Sequence, residues 1–136
     1  GEKILDIGSG SGWTSALLAE CVGEQGKVIG IEIVPEIFEF GKNNLRKYNF
    51  IEKGIVQFIL GDGILGFAKE APFDKILCSA SLQEEVPKAW KEQLKIKGKI
   101  VVPLFHSIWL FEKIANDQFK ESEFEGFVFV PFVKKK

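Results

Sequence analysis

Three glycines and three acids are the residues of this 136-residue chain whose types and spacing could do chemistry: Gly8, Gly10 and Gly12, with Asp6, Glu32 and Asp62. The glycines lie in ILDIGSGSGW, residues 4–13, where a strand-like apolar run breaks into a loop. Such loops hold nucleotides because glycine lets the backbone approach a ligand closely. A dinucleotide fingerprint would place glycine at position 13, where Trp13 stands, and no Gly-Lys-Ser/Thr follows as a P-loop requires. Asp6 narrows the choice, since it precedes the first glycine by two residues, close to where a pyrophosphate would sit. Like charges at that range are unfavourable by roughly 1 kcal/mol or more. A ligand with an ammonium group and no phosphate suits the acid. S-adenosylmethionine has that make-up.

The other two acids fall where this ligand needs them. Glu32 ends a second apolar run, and a carboxylate there can accept both ribose hydroxyls. Asp62 follows a third run between Gly61 and Gly63, placed to meet the adenine edge. Each acid alone has a plainer role: Asp6 as a cap or loop tie, Glu32 as an exposed strand end, Asp62 as a turn former. Together they read as a methyl-donor site. On the acceptor side, Ser79 and Ser81 follow a fourth run and could hydrogen-bond a substrate or cap a helix. His106 could line the same cleft or serve structure. No catalytic base and no metal-ligand cluster stand out in the sequence.

The elements that must position these residues alternate. Apolar runs at residues 3–7, 27–33, 55–60, 73–79 and 99–104 read as strands. Helical spacing covers residues 14–22, 35–48 and 86–94, with Pro35 and Pro87 near two of the starts and Gly23 at one end. Strands alternating with helices predict a three-layer α/β/α, Rossmann-like architecture on a mostly parallel sheet. Two β-rich stretches follow at residues 108–114 and 124–133, with the short polar span 115–123 between them. They predict an antiparallel hairpin finishing one edge.

One domain, residues 1–136, is the expectation from length, and the chain looks like a piece of a longer protein because it opens two residues before a strand and contains no methionine. A net charge of −1 supplies no field to attract nucleic acid or anionic lipid. The run 100–111 is broken by Pro103, His106 and Ser107 and is too short to span a bilayer. Cys21 and Cys78, without framework spacing, read as buried reduced thiols in a cytoplasmic compartment.

With these residues in view, the sequence resembles the class I S-adenosylmethionine-dependent methyltransferases, and among them the protein L-isoaspartyl O-methyltransferases. ILDIGSGSGWTSALLAE is similar to that family's first motif, VIGIEIVPEIFEFGKNNL to its second-strand segment, and LGDGILG to its G-D-G-x-x-G motif. APFDKI, EQLKIKGKIVVPL and FVFVPFV follow its pattern in order. The resemblance implies S-adenosyl-L-methionine contacts at Asp6, Gly8, Ser9, Gly10, Glu32, Asp62 and Gly63, with Ser11 and Ile33 as secondary contacts. It implies carboxyl methylation of a protein or peptide carrying isoaspartate, in protein repair. An already ionised carboxylate acceptor needs no strong base or metal. The family's upstream Thr/Ser-x-Ser-x-Pro stretch is absent, and CSASLQEEVP stands where an alanine-rich stretch is usual. Another acceptor, or donor binding without catalysis, therefore remains an alternative.

Overall fold

The structure is a computed structural model describing residues 1–135. Seven strands form one sheet in the order β3-β2-β1-β4-β5-β6-β7. Their ranges are β1 Lys3–Ile7, β2 Lys27–Glu32, β3 Val56–Leu60, β4 Phe73–Cys78, β5 Leu94–Leu104, β6 Ser107–Ala115 and β7 Gln118–Glu125. The first five pair in parallel, and β5-β6 and β6-β7 pair antiparallel.

Alternation along the central strands builds two cores. Ile4 and Val28 face helix α1, Trp13–Val22, whose Ala19 and Val22 complete that side. The neighbouring helix α2, Pro35–Arg46, adds Leu45 there. Leu5, Ile7, Ile29 and Ile31 face the other way and pack with Ile76, Ile100 and Trp90. Trp90 belongs to α3, Lys88–Glu92, which at five residues is too short to hold itself by helix propensity. Burial of its indole fixes it, with the Trp90 Nε1–H donating to the Gly63 carbonyl at 2.8 Å. The buried Lys113 reinforces it, its ammonium donating to the carbonyls of Lys91 and Leu94.

The edge hairpin differs from the expected one. Its second strand is β7, which occupies the polar span read as a connection, and its turn is Asn116-Asp117 with Asp117 at φ 59°. An edge strand exposed on its outer side need not be apolar, so polarity there misleads. The apolar run 127–133 instead leaves the sheet and crosses back to the β4 end, joined to Ser81 through a bridge at Pro131. Pro131 inside that run is the local signal against a regular strand. Two smaller differences follow from packing: β5 starts at Leu94, and Cys21 is exposed while Cys78 is buried. Among the described residues no helix is long and apolar enough to cross a membrane.

Candidate functional site

Strand order reverses between β1 and β4, and open α/β sheets bind ligands outside the carboxyl ends at such a point. A cavity of about 460 Å³ lies there. Gly8, Gly10, Glu32, Ile33 and Gly63 line it, as expected of donor contacts, and Ser79 with Ala80 forms its β4 wall. Val34 and Ile37 at the start of α2, and the returning segment Val130 to Val133, complete it. With residues 124–133 expected in the edge hairpin, nothing in the spacing brings Val130 to Val133 to the cavity.

The loop between β1 and α1 is shaped by backbone needs. Gly12 sits at φ 78°, and a Cβ there would stand 2.9 Å from the Gly41 carbonyl oxygen. Gly41 lies in α2, and a Cβ on it would come within 2.5 Å of the Gly10 carbonyl oxygen. Helix and loop thus touch backbone to backbone.

Glu32 is buried at the end of β2, and its carboxylate organises the site. Oε2 accepts from the Gly10 N–H at 2.8 Å; Oε1 accepts from the amides of Ile33 and Val34 at 2.9 and 3.0 Å. A carboxylate serving three amides at a cavity wall is an acceptor placed to exchange partners with ligand hydroxyls.

Asp6, Ser9, Ser11 and Asp62 do not line the cavity. Asp6 is fully buried beneath the loop, its Oδ2 accepting from Ser15 Oγ at 2.5 Å and its Oδ1 without a partner among the described residues. Burial pushes its pKa up to about 6, against the opposing hydrogen bond from Ser15, with the Glu32 charge adding to the rise. Ser9 Oγ donates to the Asp6 carbonyl at 2.7 Å, a loop staple. Ser11 is exposed, and its carbonyl accepts from Asn44 Nδ2 at 3.0 Å. Asp62 caps the 3-10 turn Gly63–Leu65 through the Ile64 amide, and its second oxygen accepts from the Lys135 amide at 2.9 Å.

The acceptor-side candidates separate in the same way. Ser79 is half-buried on the cavity wall. Ser81 is buried, its Oγ donating to the Phe105 carbonyl at 3.1 Å and its amide to the Val130 carbonyl at 2.7 Å. His106 is exposed in the β5-β6 turn, away from the cavity, and its carbonyl receives the amides of Gly126 and Phe127. Burial pushes the Cys78 thiol up to about 12, so it is not a nucleophile at neutral pH.

The sequence model of the protein-L-isoaspartate(D-aspartate) O-methyltransferase family matches residues 1–136. The chain belongs to this family. It is 38% identical over 137 aligned residues to the protein-L-isoaspartate O-methyltransferase of Methanopyrus kandleri, covering 98% of this chain and 59% of that one. A solved protein-L-isoaspartate O-methyltransferase superposes with a TM-score of 0.87 at 29% identity, over 96% of this chain and 42% of that one. A SAM-dependent O-methyltransferase from Thermotoga maritima superposes at 0.64 with 31% identity, over 75% of this chain and 37% of the other. The chain therefore spans well under two thirds of the length of these relatives. Family and fold together imply use of S-adenosylmethionine, and the cavity fits it: a carboxylate wall for a ribose, apolar walls at Ile33 and Ile37 for a base, and a glycine backbone with no side chain in the way.

Proposed function

We propose that this chain carries methyl transfer from S-adenosyl-L-methionine to the carboxyl group of L-isoaspartyl residues in damaged proteins. The observation carrying the proposal is the cavity at the β1/β4 switch, with Glu32 on one wall and Ser79 on the other. When bound, the donor supplies an electrophilic methyl on its sulfonium. Glu32 takes the ribose hydroxyls in exchange for part of its amide set. Gly8, Gly10 and Gly63 give close backbone approach, and Ile33 flanks the base. Asp6, Ser9 and Ser11 act through the loop they hold, and Asp62 by fixing the turn that carries Gly63.

The acceptor carboxyl, with an ordinary pKa near 3.5, is already a nucleophile at neutral pH. Positioning and removal of water then supply much of the acceleration, roughly 7–11 kcal/mol where alignment is good. Ser79 is the hydroxyl placed to orient the acceptor. The free Cys21 and Cys78 fit a reducing, cytoplasmic setting. Transfer of labelled methyl to an isoaspartyl peptide, compared with its aspartyl twin, tests the proposal. Base-labile label on the isoaspartyl peptide alone is expected; equal labelling of both, or of neither, overturns it.

A further inference from the structure

Asp6 is the one buried polar side chain among the described residues that is left with an oxygen unpartnered. It sits fully buried on the α1 side of β1, in register with Gly30 of β2 and Leu77 of β4. From α1 and the glycine loop it meets hydroxyls alone: Ser15 Oγ at its carboxyl and Ser9 Oγ at its main-chain carbonyl. The charged or titratable groups that face it are the Glu32 carboxylate, at the end of β2, and the neutral Cys78 thiol of β4. Among the described residues no cation reaches it. A sealed acid without a counter-cation is costly to keep. Burial accordingly raises its hold on a proton, to a pKa of about 6.

The missing positive charge has a source next door. Ile7 and Gly8, the two residues that follow Asp6, line the cavity. At most about 7 Å of chain separates Asp6 from Gly8. Gly8 and Gly10 put no side chain between the acid and the cavity, and the neighbouring walls at Ile31 and Ile33 are apolar, so the charge is weakly screened. The methyl donor carries a sulfonium cation; its spent product, S-adenosylhomocysteine, is a neutral thioether there and otherwise the same molecule. Shape and hydrogen bonds common to the two cannot tell them apart. Charge can.

We propose that Asp6 is a specificity-determining residue, favouring the sulfonium donor over the thioether product by its charge from beneath the glycine loop, without touching either. This role rests on the donor reading given above. A cation held in the cavity makes the ionised acid more favourable, so donor binding drives the Asp6 proton into solvent. Donor affinity therefore rises with pH until Asp6 is ionised in the free protein, and levels off above that point. Where the acid is neutral it discriminates nothing, and product competes with donor on equal terms.

The test titrates the protein with S-adenosylmethionine and, separately, with S-adenosylhomocysteine by calorimetry at pH 5 to 7, with no acceptor peptide present. If bound donor lowers the Asp6 pKa by one unit and product by half as much, affinity should rise about fivefold for donor and about twofold for product. Donor binding at pH 6 should then release about 0.4 proton, read from buffers of different ionisation enthalpy. Asp6→Asn, neutral throughout, should flatten both profiles. Ser15→Ala removes the hydrogen bond that favours the ionised acid and should move the rise to higher pH, an effect that a merely structural serine would not have. Equal pH dependence for donor and product, a rise that survives in Asp6→Asn, or one unmoved in Ser15→Ala overturns the role of Asp6 and leaves the methyltransferase proposal standing. Failure of both ligands to bind at any pH overturns the two together.

Discussion

The glycine-loop half and the returning-tail half of the cavity are built on opposite principles. In the loop half every acid is committed to the chain itself: Asp6 to Ser15, Glu32 to three amides, Asp62 to a turn and to the Lys135 amide. Backbones touch there, at Gly12 against Gly41 and Gly41 against Gly10. In the tail half the wall is apolar, the segment lies outside the sheet ladder, and it is tied by a short bridge to Ser81 and by the Phe132 ring set edge-on to Trp90 at 6.0 Å. The difference teaches that paired acids and backbone-to-backbone contacts make one wall of the cavity a rigid frame, whereas the other wall is held by a short bridge and apolar packing.

The strongest way to break the loop half is Gly41→Ala. In an exposed helix this change gains up to about 1 kcal/mol. Here the added methyl meets the Gly10 carbonyl and the Phe58 ring, so a loss of roughly 2–3 kcal/mol is expected, together with weakened donor binding. Thermal unfolding with and without S-adenosylhomocysteine reads both; a rise in stability would show that helix and loop are not in backbone contact.

Next comes Glu32→Gln, which removes the charge from three amide hydrogen bonds and from the proposed ribose contact. Loss of about 2 kcal/mol of S-adenosylhomocysteine affinity, near thirtyfold, is expected by titration calorimetry. Unchanged affinity would place the donor elsewhere.

Asp6 sharpens the comparison through pH. Its folded pKa, about 6, lies above the ordinary 3.8, so the native state binds the extra proton between these values. Stability contributed by the protonated acid is complete below about pH 4 and is lost as pH rises through 6, on the order of 3 kcal/mol in all. Asp6→Asn, neutral at every pH, should be less pH-sensitive from 4 to 7 and more stable than the parent at pH 8, read by denaturant unfolding. A parent more stable at pH 8 than its Asn variant would mean the carboxylate is ionised and matched.

The smallest effects separate the two serines. Ser81→Ala loses the bond to the Phe105 carbonyl and should cost about 1 kcal/mol of stability with donor affinity intact. Ser79→Ala should leave stability unchanged within about 0.5 kcal/mol and raise the KM for an isoaspartyl peptide. The reverse pattern would exchange their roles.

Much of this was legible in the residues. Runs at residues 3–7 and 27–33 named two central strands because strands covered on both faces must be apolar throughout. The glycine spacing and Glu32 pointed to the carboxyl ends of β1 and β2, where Gly8, Gly10 and Glu32 line the cavity, because a glycine loop after one strand and an acid ending the next are local features of the chain. The edge was not legible. β7 was hidden by its polarity and the tail was mistaken for it by its phenylalanines and valines.

By itself, then, the sequence determined the alternation of strands and helices, the glycine loop after β1 and the acid at the end of β2, because these rest on local periodicity and on conformations only glycine adopts readily. Tertiary structure alone decided that Asp6 is sealed beneath that loop, that Ser81 is spent on Phe105 while Ser79 stays at the cavity, and that residues 130–133 close the wall. Those outcomes depend on which distant backbone groups need partners once the sheet has formed, and no spacing along the chain records that need.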